Sequence, residues 1–322
     1  MSSDPKIIKF DFEPETGQMR EDVLRGLASN PKVLPSQYLY DEKGAVLFDE
    51  ICETDDYYVT QTEISILEDN LDAIKAKIGP SAVVIEPGSG SGIKTRLLLE
   101  GLEDPAGYVP IDVAKKQLAE FASSMDKAFP DLDVLPICAD FTGDYELPDY
   151  VDQHRKRIIY FPGSTIGNFM PEFALRLLHH MRDICGPHGG ILIGVDLIKD
   201  HQVLERAYDD SDGVSRDFAM NYLVRLNREL QADFSLDDFT YEAPFNEKES
   251  RIEMALVSLK DQQIDLDGAE VAFRKGERIR TEVSYKFSVE SFAALAGRAG
   301  LKVEDVWTDE KRLFSIQYLV PA

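Results

Sequence analysis

Glu86, Gly88, Gly90, Gly92 and Lys94 alternate along one short stretch, Val-Val-Ile-Glu-Pro-Gly-Ser-Gly-Ser-Gly-Ile-Lys-Thr at 83–95. Val83, Val84 and Ile85 ahead of it form an apolar run of strand length, and Leu97, Leu98 and Leu99 behind it carry a helical pattern. Strand, glycine turn and helix start in that order bring backbone N–H groups close to a nucleotide-like ligand. A dinucleotide-binding turn needs a further glycine at 93, where helix and strand pack closely, and Ile93 stands there. A diphosphate-cradling GxxxxGK loop is also missing, because no Gly-Lys pair precedes Thr95. Glu-x-Gly-x-Gly suits S-adenosylmethionine, a ligand with a carboxylate and a sulfonium but no phosphate. Taken alone, the stretch is also compatible with an ordinary glycine-rich turn.

Further polar residues follow at strand ends. Asp112 closes the next apolar run, 20 residues after Gly92, where a carboxylate reaches both ribose hydroxyls. Asp140-Phe141 follows the third run; the carboxylate can accept from an adenine amino group while the ring packs on its face. Pro162-Gly163-Ser164-Thr165-Ile166-Gly167-Asn168 follows the fourth. Its glycines suggest close backbone approach and Asn168 an amide aimed at a substrate, although a tight turn with Asn as helix cap fits the same letters. No metal site is expected. His179-His180 point in different directions on a helix, His154, His188 and His201 are scattered, and HExxH or Cys/His ligand spacing is missing. Neither an HxxxHxE string nor a GxSxG nucleophile elbow occurs. Glu205, Asp209, Asp210, Asp212 and Asp217 read as a solvated helix face and loop.

The elements that must carry these residues follow from periodicity. Helices are expected over 19–30 and 62–78, the second through Ile64, Ile66, Leu67, Leu71 and Ile74. Strands then alternate with helices: strand 83–86, helix 93–101, strand 108–112, helix 114–128, strand 134–137, strand 157–161, helix 171–185, strand 191–195. That alternation implies a doubly wound parallel α/β sheet with helices on both faces. After 198 the pattern changes, to a helical stretch over 199–232 and then strand-like alternation over 239–287. A helix at 289–299 and strands at 301–307 and 313–320 close the chain. The expected organisation is a core domain of 63–198 plus 287–322, with 1–62 plus 199–286 forming a second, lid-like α+β domain that binds substrate.

Composition narrows the function classes. The chain has 322 residues, enough for one large or two fused domains. Its net charge of −24 repels phosphate backbones, so a nucleic-acid substrate is not expected, whereas a small zwitterion is indifferent to that field. No apolar run approaches the ~20 residues of a membrane span, and the N-terminus reads without a secretory leader. Cys52, Cys138 and Cys185 are widely spaced and lack a CxxC, as expected of reduced thiols in the cytoplasm.

Strings along nearly the whole chain resemble the L-histidine Nα-methyltransferases of ergothioneine biosynthesis. They include Leu39-Tyr40-Asp41, Leu47-Phe48-Asp49, Tyr57-Tyr58 with Thr62-Glu63, Gly163–Asn168, Asp196-Leu197-Ile198-Lys199-Asp200, Arg206-Ala207-Tyr208-Asp209-Asp210, Asn227-Arg228-Glu229-Leu230, Arg251-Ile-Glu-Met254 and Thr281-Glu-Val-Ser284. The resemblance implies a class I, Rossmann-like sheet and S-adenosylmethionine as cofactor, without a metal. It also implies a monomer acting on free L-histidine, with no nucleic-acid or membrane partner.

By the same resemblance Gly88, Gly90, Lys94, Asp112, Asp140 and Phe141, with Tyr40, contact the cofactor. Asn168, Tyr57 and Tyr208, beside Gly163, hold the amino acid's α-carboxylate and α-amine, and Tyr40 and Asn168 stand closest to the chemistry. Glu282 and Ser284 grip the imidazole, with Met254 as an apolar wall. Strand parity agrees, since residues two apart face one side and can address two ring nitrogens together. Gly92-Ile93 departs from the family, which usually has a small polar and often an acidic residue before Lys-Thr. Three alternatives stay open: the same chemistry on another aromatic amino acid or histidine derivative, a nicotinamide-dependent oxidoreductase, and a catalytically inert cofactor-binding module.

Overall fold

The computed structural model describes residues 16–90, 92–143, 147 and 155–322, which divide into two compact units. One unit comprises Gln61–Leu197 and Phe287–Ala322; the other comprises 16–60 and Ile198–Lys286.

The first unit is built on a seven-stranded sheet. Its order is Leu301–Thr308, Phe314–Pro321, Gly190–Asp196, Arg157–Phe161, Val83–Pro87, Gly107–Asp112 and Ile137–Cys138. The last five run parallel, and the two C-terminal strands add an antiparallel pair beside Gly190–Asp196. Parallel strands covered on both faces are continuously apolar, and Gly190–Asp196 is buried along its whole length. On one face Ile85, Ile111, Ile159, Phe161 and Ile193 pack against Leu178 and Met181 of the helix Pro171–Cys185 and against Phe292. Pro171 starts that helix, where its missing N–H costs nothing, and Gly186 ends it at φ +70°. The expected strand 134–137 is shorter, Ile137–Cys138, with Val134 making one isolated bridge to Tyr108.

The expected helix 62–78 is two helices, Tyr58–Asp69 and Leu71–Ile78. Asn70 breaks it, its side-chain amide donating to the Ile66 carbonyl at 2.8 Å in place of continued helix geometry. Apolar spacing runs through the break, so periodicity alone does not reveal it.

The second unit holds the helices Thr16–Ala28, Glu42–Glu53, His201–Tyr208 and Val214–Leu230 with a five-stranded sheet. Arg278–Tyr285 lies between the short parallel strand Lys32–Val33 and antiparallel Arg251–Ser258. Phe239–Glu242 and Phe245–Asn246 both pair with Arg251–Ser258. Gln262–Leu266 and Ala269–Phe273 form a separate hairpin turned by Asp267-Gly268, both at positive φ.

The stretch 199–232 is likewise two helices rather than one. Asp210 starts the second, accepting from the N–H groups of Val214 at 2.9 Å and Ser215 at 2.7 Å. Asp210 is therefore a buried cap and not part of a solvated face. Burial pushes its carboxyl up, but these bonds, led by those from Ser215, outweigh it and leave it below the usual range.

Candidate active site

The glycine turn is shaped by backbone geometry before any side chain acts. Gly88, Gly90 and Gly92 have φ of +75°, +49° and +72°, the left-handed region that favours glycine. A Cβ at Gly88 would lie 3.2 Å from the Phe141 ring, and one at Gly92 would lie 2.1 Å from Phe121. At Gly90 it would meet no described atom within 4 Å, so the turn is open there. Gly92 caps the helix Ile93–Gly101, and Ile93 stands 60 % exposed at its first position.

Glu86 does not face that opening. Its carboxylate is buried, taking hydrogen bonds from Thr95 Oγ1 at 2.7 and 2.8 Å and from the Tyr108 hydroxyl. Burial pushes its carboxyl up to about 7, with the Tyr108 and Thr95 bonds pulling the other way. Glu86 thus ties strand to helix across the base of the turn. At the end of the neighbouring strand, Asp112 accepts from the Ala114 N–H at 3.0 Å; burial raises its carboxyl although backbone bonds oppose it. Asp140 Oδ1 takes the N–H and hydroxyl of Thr142 at 2.8 and 2.6 Å, which orders the loop that presents Phe141. Gly88, Gly90, Asp112, Asp140 and Phe141 therefore gather at the carboxyl edge of adjacent parallel strands. An open glycine turn, a ribose-height carboxylate and an aromatic edge fit an adenosyl ligand.

Lys94 and Gly163 meet on Glu63. Lys94 Nζ lies 2.6 Å from Glu63 Oε2, and the Gly163 N–H donates to the same carboxylate at 2.8 Å. Glu63 is 1 % exposed. The Gly163 N–H is thus already used within the protein, and Lys94 carries an internal partner that the sequence reading did not assign. Ser164, also at positive φ, accepts from the Asp196 N–H at 2.9 Å and pins the loop to the adjacent strand. Asn168 ends the short 3-10 turn Thr165–Asn168 that follows.

The second unit assembles a different set. Glu282 pairs across the strands with Met254, and Ser284 with Ile252. A bulge at 281 interrupts the register between Arg280 and Glu282, so parity counted from the start of the strand fails while the Glu282/Ser284 pair beyond it stays on one side. Ser284 Oγ lies 2.8 Å from the Tyr208 hydroxyl, and Lys286 Nζ donates to both. The Tyr208 ring meets Tyr57 edge-on at 5.9 Å, and the Tyr241 hydroxyl donates to the Tyr208 carbonyl at 2.8 Å.

Tyr40 packs edge-on against Phe48 and Phe218 at 5.5 and 5.3 Å and remains 40 % exposed. Burial and then the Glu282 charge hold its phenol well above the usual value. Its open surface lets water temper the first effect, but both act in one direction, so the Tyr40 phenol keeps its proton. Burial likewise pushes the Glu282 carboxyl up to about 8, while Lys286 pulls it down.

Lys286, Glu63, Thr95 and Tyr108 are the members that sequence reasoning missed. For Lys286 a signal existed, since it lies two residues after Ser284 on the same strand parity. Of the scattered histidines, His154 lies outside the described residues, and among those described no group of His, Cys, Asp and Glu could hold a metal ion. No described helix is long and apolar enough to cross a membrane.

A parallel sheet completed by an antiparallel pair, with a Glu-x-Gly-x-Gly turn at its carboxyl edge, defines a class I S-adenosylmethionine-dependent methyltransferase. Within that class the chain belongs to the histidine-specific, SAM-dependent methyltransferases, whose family model matches residues 19–321. It is 38 % identical over 307 residues to a histidine N-alpha-methyltransferase of Mycolicibacterium smegmatis, covering 94 % of each chain. It is 36 % identical over 306 residues to the protein of that name in Mycobacterium tuberculosis, covering 92 % of this chain and 93 % of the other. It is also 30 % identical over 292 residues to ergothioneine biosynthesis protein 1 of Neurospora crassa, covering 86 % of this chain and 32 % of that protein.

Proposed function

We propose that the protein transfers three methyl groups in succession from S-adenosylmethionine to the α-amine of L-histidine. The product is the betaine hercynine, an intermediate on the way to ergothioneine. The observation that carries this reading is the strand face on which Glu282, Met254 and Ser284 lie together. A carboxylate and a hydroxyl beside an apolar wall match a planar ring with two nitrogens, and a ring lacking them would leave buried polar groups unpaired, at ~1–3 kcal/mol each.

The sulfonium supplies an already reactive methyl, so the protein's work is positioning and exclusion of water. Gly88, Gly90, Asp112 and Phe141 hold the adenosyl part in this reading, with Asp140 ordering their loop and Lys94 serving the carboxylate end. Tyr57, Tyr208 and Asn168 hold the amino acid's carboxylate and amine. The amine reacts as the free base, which a reference pKa near ~8 makes accessible at neutral pH. Tyr40 keeps its proton, so it and Asn168 serve by orienting a water that carries the amine's proton away. As methyls accumulate, the ring faces of Tyr40 and Tyr57 stabilise the growing cation.

A monomer working on free histidine in the cytoplasm completes the proposal; Cys52, Cys138 and Cys185, none of them in a disulfide, fit the compartment. The test is mass spectrometry of each of the twenty amino acids incubated with enzyme and donor. Histidine should gain one, two and three methyls. Methylation of another amino acid with histidine untouched would refute the substrate assignment, and light scattering checks the monomer.

A further inference from the structure

Glu63 lies on the helix Tyr58–Asp69 with its carboxylate buried. Its Oε2 is 2.6 Å from Lys94 Nζ, and its two oxygens receive the Gly163 N–H at 3.0 and 2.8 Å. The backbone makes room for this arrangement. A Cβ at Gly194 would lie 2.1 Å from Glu63 Oε1, and one at Gly163 would lie 3.3 Å from Lys94 Nζ. One glycine of a strand and one of a turn are therefore bare where the pair sits. The peptide joining Pro162 to Gly163 is held at both ends, since the Thr165 hydroxyl donates to the Pro162 carbonyl at 2.9 Å.

A buried ion pair is a poor means of stabilising a fold, because taking two charges out of water offsets much of their attraction. What the pair fixes is geometry. Lysine carries its charge on a flexible four-carbon stem, and an ammonium bound to a rigid carboxylate is held in one place. The Lys94 side chain is nonetheless 18 % exposed, so an ammonium gripped on one side by Glu63 stays within reach of a ligand. The same carboxylate sets the Gly163 peptide, so one buried group arranges a cation and a backbone turn together.

We propose that Glu63 is a positioning residue that aims Lys94 and the Gly163 turn at the amino-acid end of the methyl donor. By doing so it makes the protein select ligands that carry this end over ligands with the adenosyl part alone. The inference rests on the reading of Lys94 as serving the cofactor's carboxylate.

Calorimetry on the ligand-free protein tests it with two ligands. S-adenosylhomocysteine carries the amino-acid end, whereas methylthioadenosine keeps the adenosine and the sulfur and lacks it. Glu63→Gln removes the charge at nearly constant size. It should weaken S-adenosylhomocysteine about 10- to 100-fold, the range of a hydrogen bond to a charged group. Methylthioadenosine should change less than about threefold, because it makes no use of the groups that Glu63 aims. Lys94→Met should lose the same preference, and adding Glu63→Gln to it should alter S-adenosylhomocysteine binding by less than about twofold. Glu63→Asp keeps the charge but draws it back by one methylene. It should show the same selective loss at smaller size, and it decides the matter if the glutamine variant does not fold.

A glutamine or aspartate variant that keeps the wild-type preference, losses of equal size on both ligands, or an undiminished loss on top of Lys94→Met would each overturn the inference. A wild type that binds the two ligands equally would overturn the reading of Lys94 and this inference with it. A strong wild-type preference that survives in the variant overturns this inference alone.

Discussion

Burial makes the position of Glu282 one where a carboxylate's charge is disfavoured. With its carboxyl pushed up to about 8, most of it is protonated at neutral pH before substrate arrives. The ionised form accepts an imidazole N–H more strongly than the protonated one, so histidine binding is expected to drive a proton off. Affinity should accordingly climb between about pH 7 and pH 8, where free imidazole is already neutral. Calorimetry with S-adenosylhomocysteine present should show that climb, and Glu282→Gln should flatten it and weaken histidine by about 10- to 100-fold. Equal loss of cofactor binding would contradict the role.

The same raised pKa has a sign for stability. Between 4.5 and about 8 the folded carboxyl holds a proton that the unfolded one has lost, so the ligand-free protein loses stability as pH rises through that window. Glu86, at about 7, acts in the same direction. Urea titrations across the window should show a shallower slope for Glu282→Gln than for wild type.

Glu282 and Ser284 were legible because two strand positions apart means one side, and the bulge at 281 precedes both. Lys286 was legible only through its parity with Ser284; its burial was not, because a buried lysine and a solvated one have the same letter. Nor did the letters reveal that Glu86 turns inward, since a strand-end carboxylate reads as ligand-facing until its hydroxyl partners are placed.

At the scale of elements, the turn after Val83–Pro87 depends on the missing side chain at Gly92. Gly92→Ala adds a Cβ at φ +72° and 2.1 Å from Phe121, which itself packs edge-on against Tyr108. A left-handed alanine costs ~1–2 kcal/mol before any clash, so a loss above about 2 kcal/mol in urea titration is expected. Cofactor affinity should fall with it, because Tyr108 holds Glu86 at the base of the turn.

The Glu63–Lys94 pair couples a helix on one side of the sheet edge to the Gly163 loop. Lys94→Met would strand a buried carboxylate and should cost about 3 kcal/mol, and adding Glu63→Gln should restore most of it. A double variant no more stable than the single one would show that the pair is not the source.

Strand and helix alternation through 83–195 was readable because both faces of a parallel sheet demand continuous apolar runs. The breaks at Asn70 and at 209–213 were not. Each rests on a side chain bonding to backbone, at Ile66 in the first case and at Val214 and Ser215 in the second, while the apolar spacing continues past it.

For the whole molecule, a charge of −24 repels polyanions yet exerts little net pull on a zwitterion. Histidine turnover should change less than about twofold from ~0.05 to ~0.5 M salt, in contrast to enzymes steered onto charged substrates. Steady-state rates at low substrate would show it.

The large sheet is also left and re-entered at a single spot. Leu197 and Phe287 face each other in an isolated parallel bridge, and the Phe287 N–H donates to the Asp196 carbonyl at 3.0 Å. Every residue between them, from Tyr208 to Lys286, passes through that doorway. Such a stretch can be lengthened at its loops without re-threading the large sheet, but exchanging it whole would have to supply a new partner for Lys32–Val33, which pairs with Arg278–Tyr285.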